Sequence, residues 1–317
     1  MKRKIIIAIT ISLMLTYACT KVERLGPIIR PATITKPLSI NKYTADFAAG
    51  DKIYFYAELD QEAEWIITIK GKTTGARYTI KGVSNIIDAS NAVWEGYADV
   101  LPSFKQEEAV ATLTLPNNPN QISKDSLTII TLKNLDAGGI IVSDFEHYNP
   151  AWASDWPPTI NTNTAYNPPP DGNNYLHMSG TAWQGNPITP YVDYLTITAA
   201  QSDVNYGTYF PLSIDPTKIY FNIMVYNTGT KTNLRIALME NGSAVRGINI
   251  RPDWVGWKLI SVNYTQFIPD AGVTTQNPDK ITGVQFVLLS DNQPPQSAAV
   301  SAAFDHVIFT LNGPYRP

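Results

Sequence analysis

A chain of 317 residues is long for one domain and comfortable for two, with ample length to bury a core. Charged residues are sparse at 16%, aromatics reach 11%, and Tyr, Asn, Thr, Pro and Gly recur throughout, a composition that favours β structure outside the cytoplasm. Lys2, Arg3 and Lys4 fall in a segment expected to be removed, leaving 21 of the 24 basic residues against 27 acidic ones. That balance, a charge of about −6, excludes a phosphate-tracking surface and hence nucleic acid as a partner.

The basic start is followed by an apolar run from Ile5 to Leu15, too short to span a bilayer and of the length of a signal-peptide core. It ends in Thr16-Tyr17-Ala18 and then Cys19, the only cysteine, which has no intrachain thiol to pair with. The pattern resembles a bacterial lipobox, with Leu15 one step further from the cysteine than usual. The resemblance implies cleavage after residue 18, lipidation of Cys19 and anchoring in the outer membrane, at the cell surface. Residues 19–42 then read as a lipid-anchored linker, because Pro27, Pro31 and Pro37 favour extended, unpaired backbone. A first strand of the following domain is a compatible reading of the same stretch.

Between Tyr43 and Leu135 alternation dominates. Ile53, Phe55 and Ala57 line one side of a strand, Trp65, Ile67 and Ile69 one side of the next, and Leu113/Leu115 and Leu127/Ile129 repeat the habit. Turn signals at Gly50-Asp51, Gly71, Gly75, Gly82 and Pro116-Asn117-Asn118-Pro119 cut residues 43–135 into six or seven strands, which predicts an immunoglobulin-like β-sandwich acting as a spacer. Trp65 is in phase with the core positions; Trp94 can be read either as core or as an exposed platform.

Leu132 to Gly139 is a polar, Gly-rich break. After it, residues 140–317 hold eight strand candidates: Ile140 to Glu146, Tyr175 to Ser179, Tyr191 to Thr198, Lys218 to Tyr226, Leu234 to Glu240, Trp257 to Tyr264, Ile281 to Leu289 and Phe304 to Leu311. No helical period survives a long window, so the prediction is an all-β chain whose C-terminal half is a jelly-roll, galactose-binding-like sandwich. The connection between Glu146 and Tyr175 is long, and long irregular loops tend to carry function.

The segments VSDFE, NNYLHMSG, GWKLISVNYTQF and AAFDHVIFTL resemble the jelly-roll carbohydrate-binding modules of polysaccharide-degrading systems. Joined to a lipobox and a sandwich spacer, the chain resembles the glycan-binding surface lipoproteins of Bacteroidetes polysaccharide utilisation systems. The resemblance implies capture of a polysaccharide or oligosaccharide for an outer-membrane importer, and a structural calcium that ties the first strand to the last. Its ligands would be Glu146, Asp305 and Asp144, with loop carbonyls near Asp171 to Asn174, since calcium takes six to eight oxygens. Within a strand, Asp144 and Glu146 share a face while Phe145 points to the core.

Sugar rings present an apolar C–H face that stacks on aromatic side chains, while Asn, Asp and Gln choose hydroxyls. Trp152 and Trp156 sit in an irregular loop, Trp183 follows Gly180, Trp254 precedes Gly256, and Tyr166 and Tyr191 would extend a platform. Core packing is the competing reading for each. Trp257 opens an alternating strand and reads as packed.

Catalysis has no candidate. A glycosidase needs two carboxylates across the scissile bond, and the second half holds only Glu146 and Glu240 as glutamates with its aspartates scattered in turns. His147, His177 and His306 lack zinc-hydrolase spacing. The sequence therefore predicts a non-enzymatic glycan-binding lipoprotein, with an adhesin-like lipoprotein contacting another protein as the alternative.

Overall fold

The computed structural model describes residues 30–316, except 135, 156–158, 162–168, 182–190 and 291–298, and only the backbone at 159–161. Trp156, Tyr166 and Trp183 thus lie outside the described residues.

The first half folds as strands β1 (Ile34–Ile40), β2 (Thr44–Asp46), β3 (Ile53–Gly71), β4 (Arg77–Ile87), β5 (Val93–Trp94), β6 (Glu108–Leu115) and β7 (Asn118–Thr131). Strand β3 runs for 19 residues and pairs with four others, β1, β4, β5 and β6. Its first part pairs with β1 and β5, its second with β6, and β4 pairs with both, its register slipping between Glu58 and Ala63, where the polar run Asp60-Gln61-Glu62 interrupts the apolar alternation. Strand β7 is antiparallel to β6 and parallel to β2. The two opening strands therefore end up at opposite ends of the path β1-β3-β6-β7-β2 in an immunoglobulin-like sandwich.

Strand β1 falls inside the stretch read as linker. Pro37 is tolerated because β1 ends the sheet, where a missing N–H leaves no ladder bond unmade, and Leu38 and Ile40 bury their side chains. The spacer core holds both tryptophans: Trp65 is 1% exposed, and Trp94, fully buried, is gripped edge-on by Phe47 at 4.9 Å and Phe104 at 4.8 Å. The platform reading of Trp94 fails for that reason.

The second half comprises β8 (Ile140–Ser143), β9 (Ala153–Ser154), β10 (Thr159–Asn161), β11 (Tyr175–Thr181), β12 (Tyr191–Thr198), β13 (Ile219–Asn227), β14 (Thr232–Glu240), β15 (Ser243–Ile250), β16 (Gly256–Asn263), β17 (Ile268–Pro269), β18 (Gly283–Ser290) and β19 (Ala299–Leu311). One sheet has the order β10-β11-β19-β13-β16, with β8 also on β19, and we call it the inner sheet because it faces the spacer. The other, with the order β17-β15-β14-β18-β12-β9, we call the outer sheet. Between them lies one core that includes Phe145, Phe221, Phe286, Phe304 and Phe309. All eight predicted strands are present. Strand β15 was not predicted, although Asn241 (φ 47°) and Gly242 (φ 79°) form the left-handed pair that an Asn-Gly hairpin demands.

The predicted strand at Ile140 to Glu146 stops at Ser143. Ser143 Oγ accepts the Phe145 N–H at 3.0 Å and Asp144 Oδ1 accepts the Glu146 N–H at 2.9 Å, so local side-chain bonds outcompete the ladder. Phe145 turns left-handed (φ 56°) and still reaches the core. Asp144 and Glu146 consequently do not share a strand face.

The halves meet over the exposed side of the inner sheet. Met224, Ile308 and Tyr315 form a small separate core there, against which Leu101 of the spacer, Trp257 and Leu259 pack. Ser103 N–H donates to Pro170 O at 3.1 Å and Lys105 Nζ to Gly172 O at 2.5 Å.

Candidate functional site

The predicted clasp exists as a hydrogen-bonded turn. Glu146 Oε1 accepts the Asn173 and Asn174 N–H groups at 2.6 and 2.9 Å, and Asn174 Nδ2 donates to the Glu146 backbone carbonyl at 3.0 Å. Gly172 lets the carboxylate come this close: its φ is +43°, and a Cβ there would lie 2.0 Å from Glu146 Oε1. Asp305, fully buried, accepts the His306 N–H at 2.9 Å and the Asp171 N–H at 3.2 Å. Burial, followed by the neighbouring Asp171, holds its carboxyl well above the usual range.

This donor set does not suit calcium. The oxygens of Glu146 and Asp305 are met by N–H groups, the Pro170 and Gly172 carbonyls are taken by Ser103 and Lys105, and Asp144 turns to Asp203, whose Oδ2 accepts its N–H at 2.6 Å. Among the described residues no three acidic, histidine or cysteine side chains are grouped to hold a metal. Burial, with the Asp144 carboxylate adding to it, lifts Asp203 to about 6.

His306 closes the same region. It occupies a bulge of β19 with φ 45°, is 1% exposed, and places Nδ1 3.1 Å from Asp171 Oδ2 and Nε2 2.9 Å from Asp136 Oδ1, the latter in the linker between the halves. Burial alone would lower its pKa; the two carboxylates override that and raise it to about 10, which favours the charged ring between linker and loop.

Of the predicted aromatic platform, Trp152, Trp254 and Tyr191 are among the described residues, and each is buried or half-buried. Trp152 is 4% exposed, packs edge-on against Phe145 at 5.8 Å and Tyr148 at 5.7 Å, and donates Nε1 to Gln201 O at 3.2 Å. It is a core residue that roots the loop, and it offers no face to a sugar. Trp254 is half-buried, with Nε1 donating to Gly256 O at 3.0 Å and Lys258 Nζ 4.6 Å from its ring centre. Tyr191 is half-buried on the outer sheet and donates its hydroxyl to Asp155; burial and then that carboxylate raise the hydroxyl above its ordinary range.

Tyr191 marks the face that carries a usable site. Inward positions of the outer sheet, such as Leu195, Ile197, Leu234, Ile236, Phe286 and Leu288, fill the core. Alternation therefore sends their neighbours outward. The registers set Val287 between Tyr194 and Arg235, Arg235 opposite Asn249, and Gln285 between Thr196 and Ala237. A depression of about 590 Å³ opens here, with Tyr194, Thr196, Gln285 and Met239 in its wall.

Its polar groups are held in place. Arg235 Nη2 bonds Asp270 at 2.5 and 2.7 Å to the two oxygens, both side chains about one-third exposed. At that exposure the pair stabilises the fold by only about 1 kcal/mol or less, so positioning is its larger effect. The guanidinium lies across Gly247, where a Cβ would come within 2.8 Å of Nε and Nη2. Gln285 Nε2 donates to Thr196 Oγ1 at 3.0 Å, which fixes its amide and leaves its carbonyl oxygen pointing to the other side. The face thus offers one half-buried aromatic ring, a fixed guanidinium with its carboxylate, an oriented amide and a hydroxyl row. None of these polar residues was singled out from the sequence. The legible signal was Arg235 in the apolar strand Asn233-Leu234-Arg235-Ile236-Ala237-Leu238, together with Gln285 in a similar setting.

No family model and no curated protein sequence matches the chain. Solved structures do. A family 11 carbohydrate-binding module from Clostridium thermocellum, in complex with a β-1,3-1,4-mixed-linked tetrasaccharide, is similar over 55% of this chain and 95% of its own, at 16% identity and a TM-score of 0.35. SGBP-B from a complex xyloglucan utilization locus in Bacteroides uniformis is similar over 89% of this chain and 73% of its own, at 11% identity and a TM-score of 0.40. A carbohydrate-binding module of the β-sandwich superfamily, of promiscuous specificity, covers 88% of this chain at 12% identity and a TM-score of 0.34.

Proposed function

We propose that this chain is a non-catalytic glycan-binding lipoprotein, tethered through Cys19 to the outer membrane and capturing a polysaccharide or oligosaccharide for uptake. The observation that carries the reading is the outward face of the outer sheet, where Tyr194, Thr196 and Gln285 line a depression and Arg235, held by Asp270, lies on the neighbouring strand β14. A sugar needs a ring to stack on and several fixed, bidentate-capable groups to select its hydroxyls, and this face provides both. The spacer covers the opposite sheet and leaves this one uncovered by other parts of the described chain.

The adhesin alternative draws on the burial of Trp152, which removes one exposed aromatic from the glycan account. The fixed polar groups, Arg235 with Asp270 and Gln285 with Thr196, favour the glycan, because oriented amide and guanidinium groups suit the recognition of hydroxyls. Affinity electrophoresis on gels containing xyloglucan, mixed-linkage β-glucan, xylan, pectin or host glycans tests the reading. Retardation by at least one polymer is expected, and it should be lost in Arg235→Ala/Gln285→Ala; migration unaltered by every polymer would contradict it.

A further inference from the structure

A cavity of about 500 Å³ lies between the halves, on the side of the sandwich opposite the outer sheet. Tyr78 and Tyr97 of the spacer face Trp257 of the jelly roll across it, with Asp99, Lys258 and Arg316 at the mouth. Its size suits a small ligand, and domain junctions are a preferred place for such sites.

Several features distinguish it from a packing defect. Its floor is built: Tyr315 is 6% exposed and joins Met224 and Ile308 in the small core that Leu101 and Leu259 complete, so the two walls are held by shared packing. Trp257 is set by edge contacts to Tyr175 at 5.6 Å and Tyr226 at 5.4 Å. Tyr97 is set by Lys133, whose Nζ lies 4.1 Å from the ring centre. The mouth is charged, and among the described residues neither Asp99 nor Arg316 enters a salt bridge. Aromatic walls with an uncommitted carboxylate and guanidinium match the needs of a pyranose: C–H faces against rings, hydroxyls to an acceptor and a multidentate donor. An acyl chain would leave both charges unpaired.

We propose that the cleft between the spacer and the jelly roll is a second, independent sugar-binding site that takes a mono- or disaccharide unit between Tyr78, Tyr97 and Trp257. The proposal rests on the glycan reading above and extends it: a polymer that engages both sites gains avidity with no new contact. The spacer is then a binding element as well as a support.

The test uses the full chain without its signal segment, labelled with 5-fluorotryptophan, with the Trp257 resonance assigned from Trp257→Phe. Xylohexaose, cellohexaose and a xyloglucan oligosaccharide are titrated into the parent, into Arg235→Ala/Gln285→Ala and into Tyr97→Ala/Arg316→Ala. The expected result is a stoichiometry of about two in the parent and about one in each variant. The Trp257 resonance should move in the sheet variant and stay still in the cleft variant. Saturating binding that leaves the Trp257 resonance in place overturns the cleft while sparing the outer face. Loss of all binding in the sheet variant does the same. Binding that survives in the sheet variant, moves Trp257 and vanishes in the cleft variant keeps the cleft and removes the face. No binding of any probe by the parent overturns both.

Discussion

The two sheets of the jelly roll have the same number of strands and share one core, yet their outward faces differ in kind. The inner sheet turns Met224, Ile308, Trp257 and Leu259 outward, and the spacer covers part of that face with Leu101. The outer sheet turns Tyr194, Thr196, Arg235, Asn249 and Gln285 outward, with Arg235 braced by Asp270 and Gln285 by Thr196. Apolar outward positions on a strand signal a partner, here supplied by the same chain. Fixed polar outward positions signal a ligand that must be chosen by its hydroxyls. The difference arises from a few residues in strands whose inward positions are nearly interchangeable.

The largest effect should come from the shared core, where both faces depend on the same packing. Trp152→Ala removes a buried ring and should cost about 3–5 kcal/mol in denaturant unfolding, with any loss of glycan binding explained by the unfolded fraction. A stable protein that had lost only its binding would return Trp152 to the platform. Arg235→Ala should act in the opposite sense, weakening glycan binding about tenfold or more, roughly 1.4 kcal/mol, in calorimetry while the melting temperature stays within a few degrees.

A third contrast concerns pH. His306 has a folded pKa of about 10, raised above its unfolded value near 6.5, so its contribution is complete below that lower value and is lost as pH rises through the upper one. Stability should therefore decline between about pH 6.5 and 10, and His306→Gln should flatten that decline in thermal melts. Asp203, raised to about 6, also favours its protonated form on folding, so stability should fall as pH rises from about 4 to 6 and the slope should shrink in Asp203→Asn. A slope of the opposite sign in either window would show that the partners named here are not the ones that hold the group. Finer still, Gly247→Ala should displace the Arg235 guanidinium and weaken binding severalfold. At the clasp, calcium against chelator should leave the melting temperature unchanged within about a degree, because N–H groups and Lys105 already fill the oxygens a cation would need.

Much of the fold was legible because its signal is local. The eight strand candidates of the second half were carried by period-two alternation and turn residues, and the Asn241-Gly242 hairpin is written just as plainly. The strand at Ile140 was read three residues too long because Ser143 and Asp144 side chains capture the following N–H groups, a competition that apolar patterning does not record. The site was less legible for a different reason. Tryptophan in a loop looks exposed in a sequence, but Trp152 lies under its loop, against Phe145, and only the path of the chain decides that. Arg235, Asp270 and Gln285 come from segments up to 50 residues apart and become a site only through strand order, which no single stretch encodes.

The central claim is that the outer sheet, and not the loop aromatics, holds the glycan. Hydrogen exchange of the full chain with and without a polymer that retards it in gels tests this most directly. Protection should rise most in β12, β14 and β18 around Tyr194, Arg235 and Gln285. Protection confined to the loops at Trp152 and Trp254, with these three strands unchanged, would contradict the account.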